Sequence, residues 1–197
     1  MPGKEKDFLS TRDVAKLLNV AVSTIQSWTD NGVLRAWTTA GGHRRIEKSS
    51  VEKLLHKQQT LSNEKPNDKK ISIVVVEDNE QELKVYEKQF NHWDINANFY
   101  INKDGYSGLL AIGRLSPDII ITDLLMPNMN GFEMIKAVKE NPNFKNSLII
   151  AVSALTEDEI KIRGGLPSDV PVFMKPLDFN ELELLIGKRV NTSVAKI

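Results

Sequence analysis

Five polar side chains stand at the ends of apolar, β-rich runs, and their types fit one chemistry. Glu77 and Asp78 close ISIVVVED, Asp123 closes PDIIITD, Ser153 closes SLIIAVS and Lys175 closes PVFMK. A carboxylate at the end of a buried strand is costly unless a cation meets it, and three gathered there repel one another. Oxygen donors with no sulfur and no clustered histidine favour a hard divalent ion, Mg2+, over zinc. With Mg2+ held by Glu77 and Asp78 against Asp123, the Asp123 carboxylate becomes a nucleophile toward phosphorus and yields an aspartyl phosphate. The Lys175 ammonium would neutralise the growing charge, and the Ser153 hydroxyl would donate to a phosphoryl oxygen. Each residue alone has an ordinary explanation: the acid pair as first-turn helix charges, Asp123 as a cap, Ser153 and Lys175 as solvated strand ends. Their joint placement is the argument.

The elements that must position them follow from the pattern of apolar residues. The runs ISIVVVE (71–77), NANFYI (96–101), PDIIITD (117–123), SLIIAVS (147–153) and PVFMK (171–175) are continuous rather than alternating, which marks strands covered on both faces and hence a parallel sheet. Between them lie stretches of helical period, with Leu83, Tyr86 and Phe90 on one face and Phe132, Ile135 and Val138 on another. Five βα units of this kind predict an α/β fold with a five-stranded, doubly wound parallel sheet. In such sheets ligands bind beyond the carboxyl ends of the strands, where strand order reverses, and that edge carries all five residues.

The first sixty residues read differently. STRDVAKLL offers Ser10 as helix N-cap with Asp13 three residues on, and Val14, Leu17 and Leu18 as an apolar face. VAVSTIQSWTDNG follows after a tight break, with Val22, Ile25 and Trp28 at helical spacing, so the pair predicts a helix-turn-helix. LRAWTTAGGHRRI reads as a hairpin with Gly41-Gly42 at its tip, and SSVEKLL begins a third helix. Ser23, Thr24, Gln26 and Ser27 fall away from the Val22/Ile25/Trp28 face and are the candidates for the major groove of double-stranded DNA, Gln26 foremost because its amide pairs bidentately with adenine. His43, Arg44 and Arg45 at the hairpin tip suit phosphate or minor-groove contact, and Arg12 and Arg35 extend the basic surface.

The formal net charge is zero, but it hides an asymmetry: residues 1–60 carry ten Lys/Arg against six Asp/Glu, and residues 71–197 carry thirteen against eighteen. A basic small half and an acidic larger half point to one module that meets a polyanion and another with a separate task. The polar segment KQQTLSNEKPNDKK, Lys57 to Lys70, falls where the sign changes and reads as a linker. The expected domains are therefore 1–57, a linker at 58–70, and 71–197. An apolar share of 41% suffices for two cores, the absence of cysteine excludes disulfides and thiolate metal sites, and no apolar run approaches the ~18 residues of a membrane span. The expectation is a soluble cytoplasmic protein with no membrane partner; His56 and His92 are read as surface residues.

Residues 71 to about 190 resemble the receiver domain of two-component response regulators. VVVEDN, TDLLMPNMNG, AVSAL and FMKPL carry the resemblance, with separations of 45, 30 and 22 residues from Asp78 to Asp123, Ser153 and Lys175 in turn. It implies a flavodoxin-like fold, Asp123 as phospho-acceptor, a metal ligand from the Leu125 backbone carbonyl, a cis Lys175-Pro176 bond and a sensor histidine kinase or phosphotransfer protein as partner. Val172 departs from the aromatic residue common three positions before the lysine, and Phe173 points to the other face. Phe8 to Leu55 resembles the winged helix-turn-helix of MerR-type and excisionase-type DNA-binding proteins, through STRDVAKLLNVAVSTIQSW, NGVLRAW and the wing TAGGHRRI. Together these imply a regulator rather than an enzyme: a DNA-binding homodimer controlled by phosphorylation of Asp123. The alternatives are a signalling adaptor or phosphorelay receiver acting through protein contacts, and a DNA-binding dimer indifferent to phosphorylation.

Overall fold

The computed structural model describes residues 7–59 and 70–194, with side chains described through Leu55 in the first stretch and Val190 in the second. All but the ends of the expected linker, the side chain of His56 and those of the NTSVAKI tail lie outside the described residues. The chain divides into two compact units, Met1–Lys65 and Pro66–Ile197.

The first unit contains β1 (Phe8–Ser10), α1 (Thr11–Leu18), α2 (Val22–Asp30), β2 (Ala36–Thr38), β3 (Arg44–Glu47) and α3 (Lys48–Gln59). The capping box at α1 is present: Asp13 N–H donates to Ser10 Oγ at 3.2 Å, and Ser10 returns its own N–H to Asp13 Oδ2 at 3.1 Å. Asn19 ends α1 in the left-handed region at φ 52°, which a short polar side chain tolerates, and turns the chain into α2. Trp28, Ile25, Leu34 and Ile46 are fully buried and fill the centre of the unit.

Two expectations about the helix faces are corrected. Leu17 and Val22, assigned to the apolar faces, are 56% and 40% exposed, while Ala15 and Thr24 are buried. At about 100° per residue, Thr24, Ile25 and Trp28 share one arc of α2, and Val22 falls outside it. The bulk of Trp28 sets where that arc is centred.

The hairpin forms as expected, with Gly42 at φ +79° and its N–H donated to Thr39 O. It gains a strand the sequence did not announce: β1 pairs antiparallel with β3, Phe8 opposite Glu47 and Ser10 opposite Arg45, giving the order β1-β3-β2.

The second unit runs β4 (Ile71–Val76), α4 (Glu80–Phe90), β5 (Ala97–Asn102), α5 (Gly105–Leu115), β6 (Ile119–Asp123), α6 (Gly131–Lys139), a 3-10 turn at Pro142–Phe144, β7 (Leu148–Ser153), α7 (Glu157–Ile162), β8 (Val172–Met174) and α8 (Phe179–Val194). All five strands are parallel, in the order β5-β4-β6-β7-β8. This is the flavodoxin-like arrangement, and its strand order reverses between β4 and β6. Ile73, Val75, Ile121, Ile150 and Val152 on the strands pack with Tyr86, Phe90, Leu182 and Ile186 from the helices on one side of the sheet. On α6 the buried arc is Met134, Ile135 and Val138, with Phe132 only half-buried. Phe173 is buried while Val172 and Met174 on either side are exposed, so β8 presents no aromatic ring at position 172. Among the described residues no helix is long and apolar enough to cross a membrane.

Candidate functional site

The switch point between β4 and β6 brings the acids together because the register places Val76 beside Thr122, so Glu77 and Asp123 leave adjacent strands at the same height. One carboxylate oxygen from each of Glu77, Asp78 and Asp123 lies within 4.8 Å of the others. Glu77 and Asp123 are almost wholly buried, at 1% and 6% exposure.

Lys175, delivered by β8, reaches across this edge. Its Nζ donates to Glu77 Oε2 at 2.9 Å and to Asp123 Oδ2 at 2.7 Å. The second oxygen of each acid is held by backbone: Asn79 N–H donates to Glu77 Oε1 at 3.0 Å and Leu125 N–H to Asp123 Oδ1 at 2.9 Å. The Lys175-Pro176 peptide bond is cis.

Burial pushes the Glu77 carboxyl up to about 7, against the pull of the Lys175 hydrogen bond and the Asn79 N–H, and the Asp123 charge adds to the rise. Burial alone would lower the Lys175 ammonium, but hydrogen bonds to Asp123, Glu82 and Glu77 carry it above its ordinary value. The edge therefore holds more negative charge than one lysine neutralises. This is the condition under which a hard divalent cation with oxygen ligands is favoured.

Ser153 ends β7 fully buried, and its Oγ accepts the Leu155 N–H at 3.0 Å, which leaves the hydroxyl proton for another acceptor. Ser153 also ties the neighbouring strand to the site, because Lys175 N–H donates to its carbonyl at 2.8 Å. Leu125 lies against Asp123 through its N–H, with its side chain 42% exposed.

Two residues of this edge escaped the sequence reading. Glu82 Oε2 lies 2.7 Å from Lys175 Nζ; in the sequence it is one more first-turn helix acid, with nothing to link it to a lysine far along the chain. Gly131 packs so closely that a Cβ would fall 2.1 Å from Asp123 O, and the Asn130-Gly131 pair that opens α6 is its signal in the sequence.

In the first unit, Ser23, Gln26 and Ser27 lie together on the outer face of α2, and Arg12, Arg35 and His43 are exposed as well. Thr24 is not among them: at 6% exposure its side chain faces the core, on the arc with Ile25 and Trp28, and the assignment to the groove is corrected. Arg44 is also not a free cation of the wing, because its Nη2 lies 2.6 Å from Asp30 Oδ1 at the end of α2. Arg45 is half-buried and sits opposite Trp37 and Ser10 in the sheet.

Comparison with known proteins bears on both units. The response regulator receiver domain family matches residues 73–186, and a helix-turn-helix domain family matches residues 8–59. Hybrid signal transduction histidine kinase D of Dictyostelium discoideum is 29% identical over 122 residues, 62% of this chain and 8% of that protein. Transcriptional regulatory protein HptR of Staphylococcus aureus is 29% identical over 121 residues, 60% of this chain and 46% of its own length. The chain thus spans less than half the length of these curated relatives.

Among solved structures, the signal receiver domain of a DNA binding response regulator protein (merR) from Colwellia psychrerythraea 34H is 27% identical. It has a TM-score of 0.54 and covers 61% of this chain and 98% of that one. A Francisella response regulator receiver domain, 22% identical with a TM-score of 0.51, covers 62% of this chain and 98% of that one and shares the fold. With a receiver match over more than half its length, set on an acidic switch-point edge, the chain belongs to the response regulator receiver domain family and carries a helix-turn-helix domain ahead of it.

Proposed function

We propose that Asp123 accepts a phosphoryl group, and that its phosphorylation governs pairing of two chains and their binding to double-stranded DNA through the amino-terminal module. The observation that carries this reading is the meeting of Glu77, Asp78 and Asp123 at one strand-end edge with Lys175 reaching over them.

The donor is a phosphohistidine of a partner sensor kinase or phosphotransfer protein, or a small acyl phosphate. An Asp123 carboxylate oxygen attacks phosphorus. The new O–P bond forms as the donor's P–N or P–O bond breaks, and its electron pair leaves with the imidazole nitrogen, which takes up a proton, or with the departing carboxylate. Lys175 meets the negative charge on the phosphoryl oxygens, and the Ser153 hydroxyl donates its free proton to one of them. The Leu125 N–H holds the carboxylate in place.

Glu77, Asp78 and Asp123, with the Leu125 carbonyl, would hold Mg2+, and three convergent carboxylate oxygens with one opposing ammonium fit that ion. When bound, Mg2+ supplies charge neutralisation at the phosphoryl oxygens.

On the DNA side, the exposed Ser23, Gln26 and Ser27 face of α2 is the reading surface of a MerR- or excisionase-type winged module. Arg12, Arg35, His43 and Arg45 supply backbone contacts. One such module touches few base pairs, so holding two together raises affinity through effective concentration. The phosphoryl charge at Asp123, met by Ser153 and Lys175, acts on the face formed by α7, β8 and α8.

The test is intact-mass measurement after incubation with Mg2+ and acetyl phosphate. The wild-type chain gains one phosphoryl group, and Asp123→Asn gains none. A gain that survives in Asp123→Asn, or no gain with any acyl phosphate or phosphohistidine donor, rejects the reading.

A further inference from the structure

Lys175 has three N–H donors, and three carboxylates surround its Nζ: Glu77 at 2.9 Å, Asp123 at 2.7 Å and Glu82 at 2.7 Å. The first two belong to the acceptor edge. Glu82 comes from the first turn of α4, and its side chain is 39% exposed where the side chains of Glu77 and Asp123 are 1% and 7% exposed. It shares with Lys175 the rim of a cavity of about 320 Å³, walled otherwise by Val85, Tyr86, Pro176, Leu177 and Phe179.

The ammonium is thus fully subscribed before any phosphoryl group arrives. Phosphorylation changes the Asp123 contact itself, and for Lys175 to follow the new charge out onto the phosphoryl oxygens one of its two other partners has to let go. Glu77 is sealed from water, so no solvent can replace the hydrogen bond it would lose. Glu82 already touches solvent and is rehydrated at little cost.

From this arrangement we propose that Glu82 is a positioning residue that holds Lys175 while Asp123 is unphosphorylated and releases it when the phosphoryl group binds. It acts through Lys175, as a competitor for the same ammonium, and so weakens the hold of the site on its phosphoryl group. The release also detaches the first turn of α4 from the end of β8, which carries the phosphorylation state to the rim of the cavity. This inference rests on the phosphoryl-acceptor reading above.

The experiment is titration of the full chain with beryllofluoride in constant Mg2+, comparing wild type with Glu82→Gln, Glu82→Ala and Glu80→Gln. Glu80 is the matched control. It lies in the same turn and carries the same charge, but it pairs with Lys103 at 3.3 Å and does not touch Lys175. Freed of its competitor, Lys175 in Glu82→Gln and Glu82→Ala tightens beryllofluoride binding by about fivefold, the size expected of one partly exposed ion pair. Acetyl phosphate then leaves a longer-lived phosphoryl group on Asp123 of both variants. Glu80→Gln stays near wild type.

Equal tightening in Glu80→Gln shows only the loss of a negative charge and overturns the inference, as does unchanged or weaker binding in the Glu82 variants. Failure of beryllofluoride to bind any of the four proteins overturns the phosphoryl-acceptor reading instead. Circular dichroism of each variant confirms that the comparison is made on folded protein.

Discussion

The guanidinium of Arg44 lies 2.6 Å from Asp30 rather than free above the wing, and that contact changes the sign expected of a mutation. If Arg44 met a phosphate, removing the nearby Asp30 charge would tighten DNA binding. If it pins β3 to the end of α2, removing Asp30 loosens the wing and weakens binding. We expect Asp30→Ala to weaken duplex binding by about two- to fivefold, in keeping with a surface ion pair of at most about 1 kcal/mol, and Arg44→Ala to do no worse; fluorescence anisotropy at fixed salt reads both. At the acidic edge of the sheet the sign of a mutation is decided in the same way. Asp78 contributes to the acidic cluster but has no contact with Lys175 among those that hold Glu77, Asp123 and Glu82. Without metal, Asp78→Asn removes a repelling charge and leaves thermal stability unchanged or raised. Mg2+ at about a hundred times its Kd stabilises a folded receiver by about 2.7 kcal/mol, and the Asn variant loses most of that increment. Calorimetric melting with and without Mg2+ separates the two effects, and an equal gain in both proteins would remove Asp78 from the metal ligands.

Among the elements, the two glycines of α6 and α8 make opposite predictions from the same substitution. Alanine favours a helix over glycine by about 1 kcal/mol. At Gly187 in α8 a Cβ meets nothing within 4 Å, so Gly187→Ala raises stability by about that amount. At Gly131 the Cβ would fall 2.1 Å from Asp123 O and 2.8 Å from Leu124 Cα; both atoms are backbone and cannot swing aside. Gly131→Ala therefore lowers stability by about 1–3 kcal/mol, as overpacking does, and slows phosphoryl uptake because the atom displaced is the backbone carbonyl of Asp123, the proposed acceptor. Denaturant unfolding gives the first quantity, and the rate of mass gain with acetyl phosphate gives the second. The close approach at Gly131 also shows what a sequence carries and what it does not. The three central strands β4, β6 and β7 were legible as continuous apolar runs such as ISIVVV, the edge strands β5 and β8 as β-rich stretches of mixed burial, and the acidic edge because strand ends in a doubly wound sheet share one side. The capping box at Ser10 and Asp13 is local and was read from four residues. Faces of α1 and α2 were less legible: eight- and nine-residue helices cover little more than two turns, so packing around Trp28, not periodicity, decides that Thr24 is inside and Val22 outside. β1 was invisible because three residues cannot show alternation and its partner β3 lies far along the chain. Glu82 is the same case in electrostatics, a contact made only by the fold.

At the scale of the whole chain, two compact units of opposite charge balance share one polypeptide, and the salt dependence of DNA binding reports how many basic modules act together. Each phosphate neutralised releases counterions, so log K falls against log salt with a slope of about −0.9 per contact on duplex DNA. Arg12, Arg35 and Arg45 are the cations of the candidate surface that pair with no carboxylate among the described residues, whereas Arg44 is held by Asp30. One module therefore gives a slope of about −3, and two held on one duplex give about twice that. The measurement is anisotropy on a duplex long enough for both modules, over a NaCl series at constant Mg2+, with and without beryllofluoride. A steeper slope with beryllofluoride, accompanied by a larger hydrodynamic mass, is the expected result, because a phosphoryl mimic that pairs the chains doubles the contacts without altering any one of them. If the mimic strengthens binding at every salt concentration while the slope and mass stay fixed, phosphorylation acts within a single chain and pairing is not the lever. If binding is absent at the lowest salt, the exposed face of α2 and the wing do not form a DNA surface, and the output of the receiver is a protein contact.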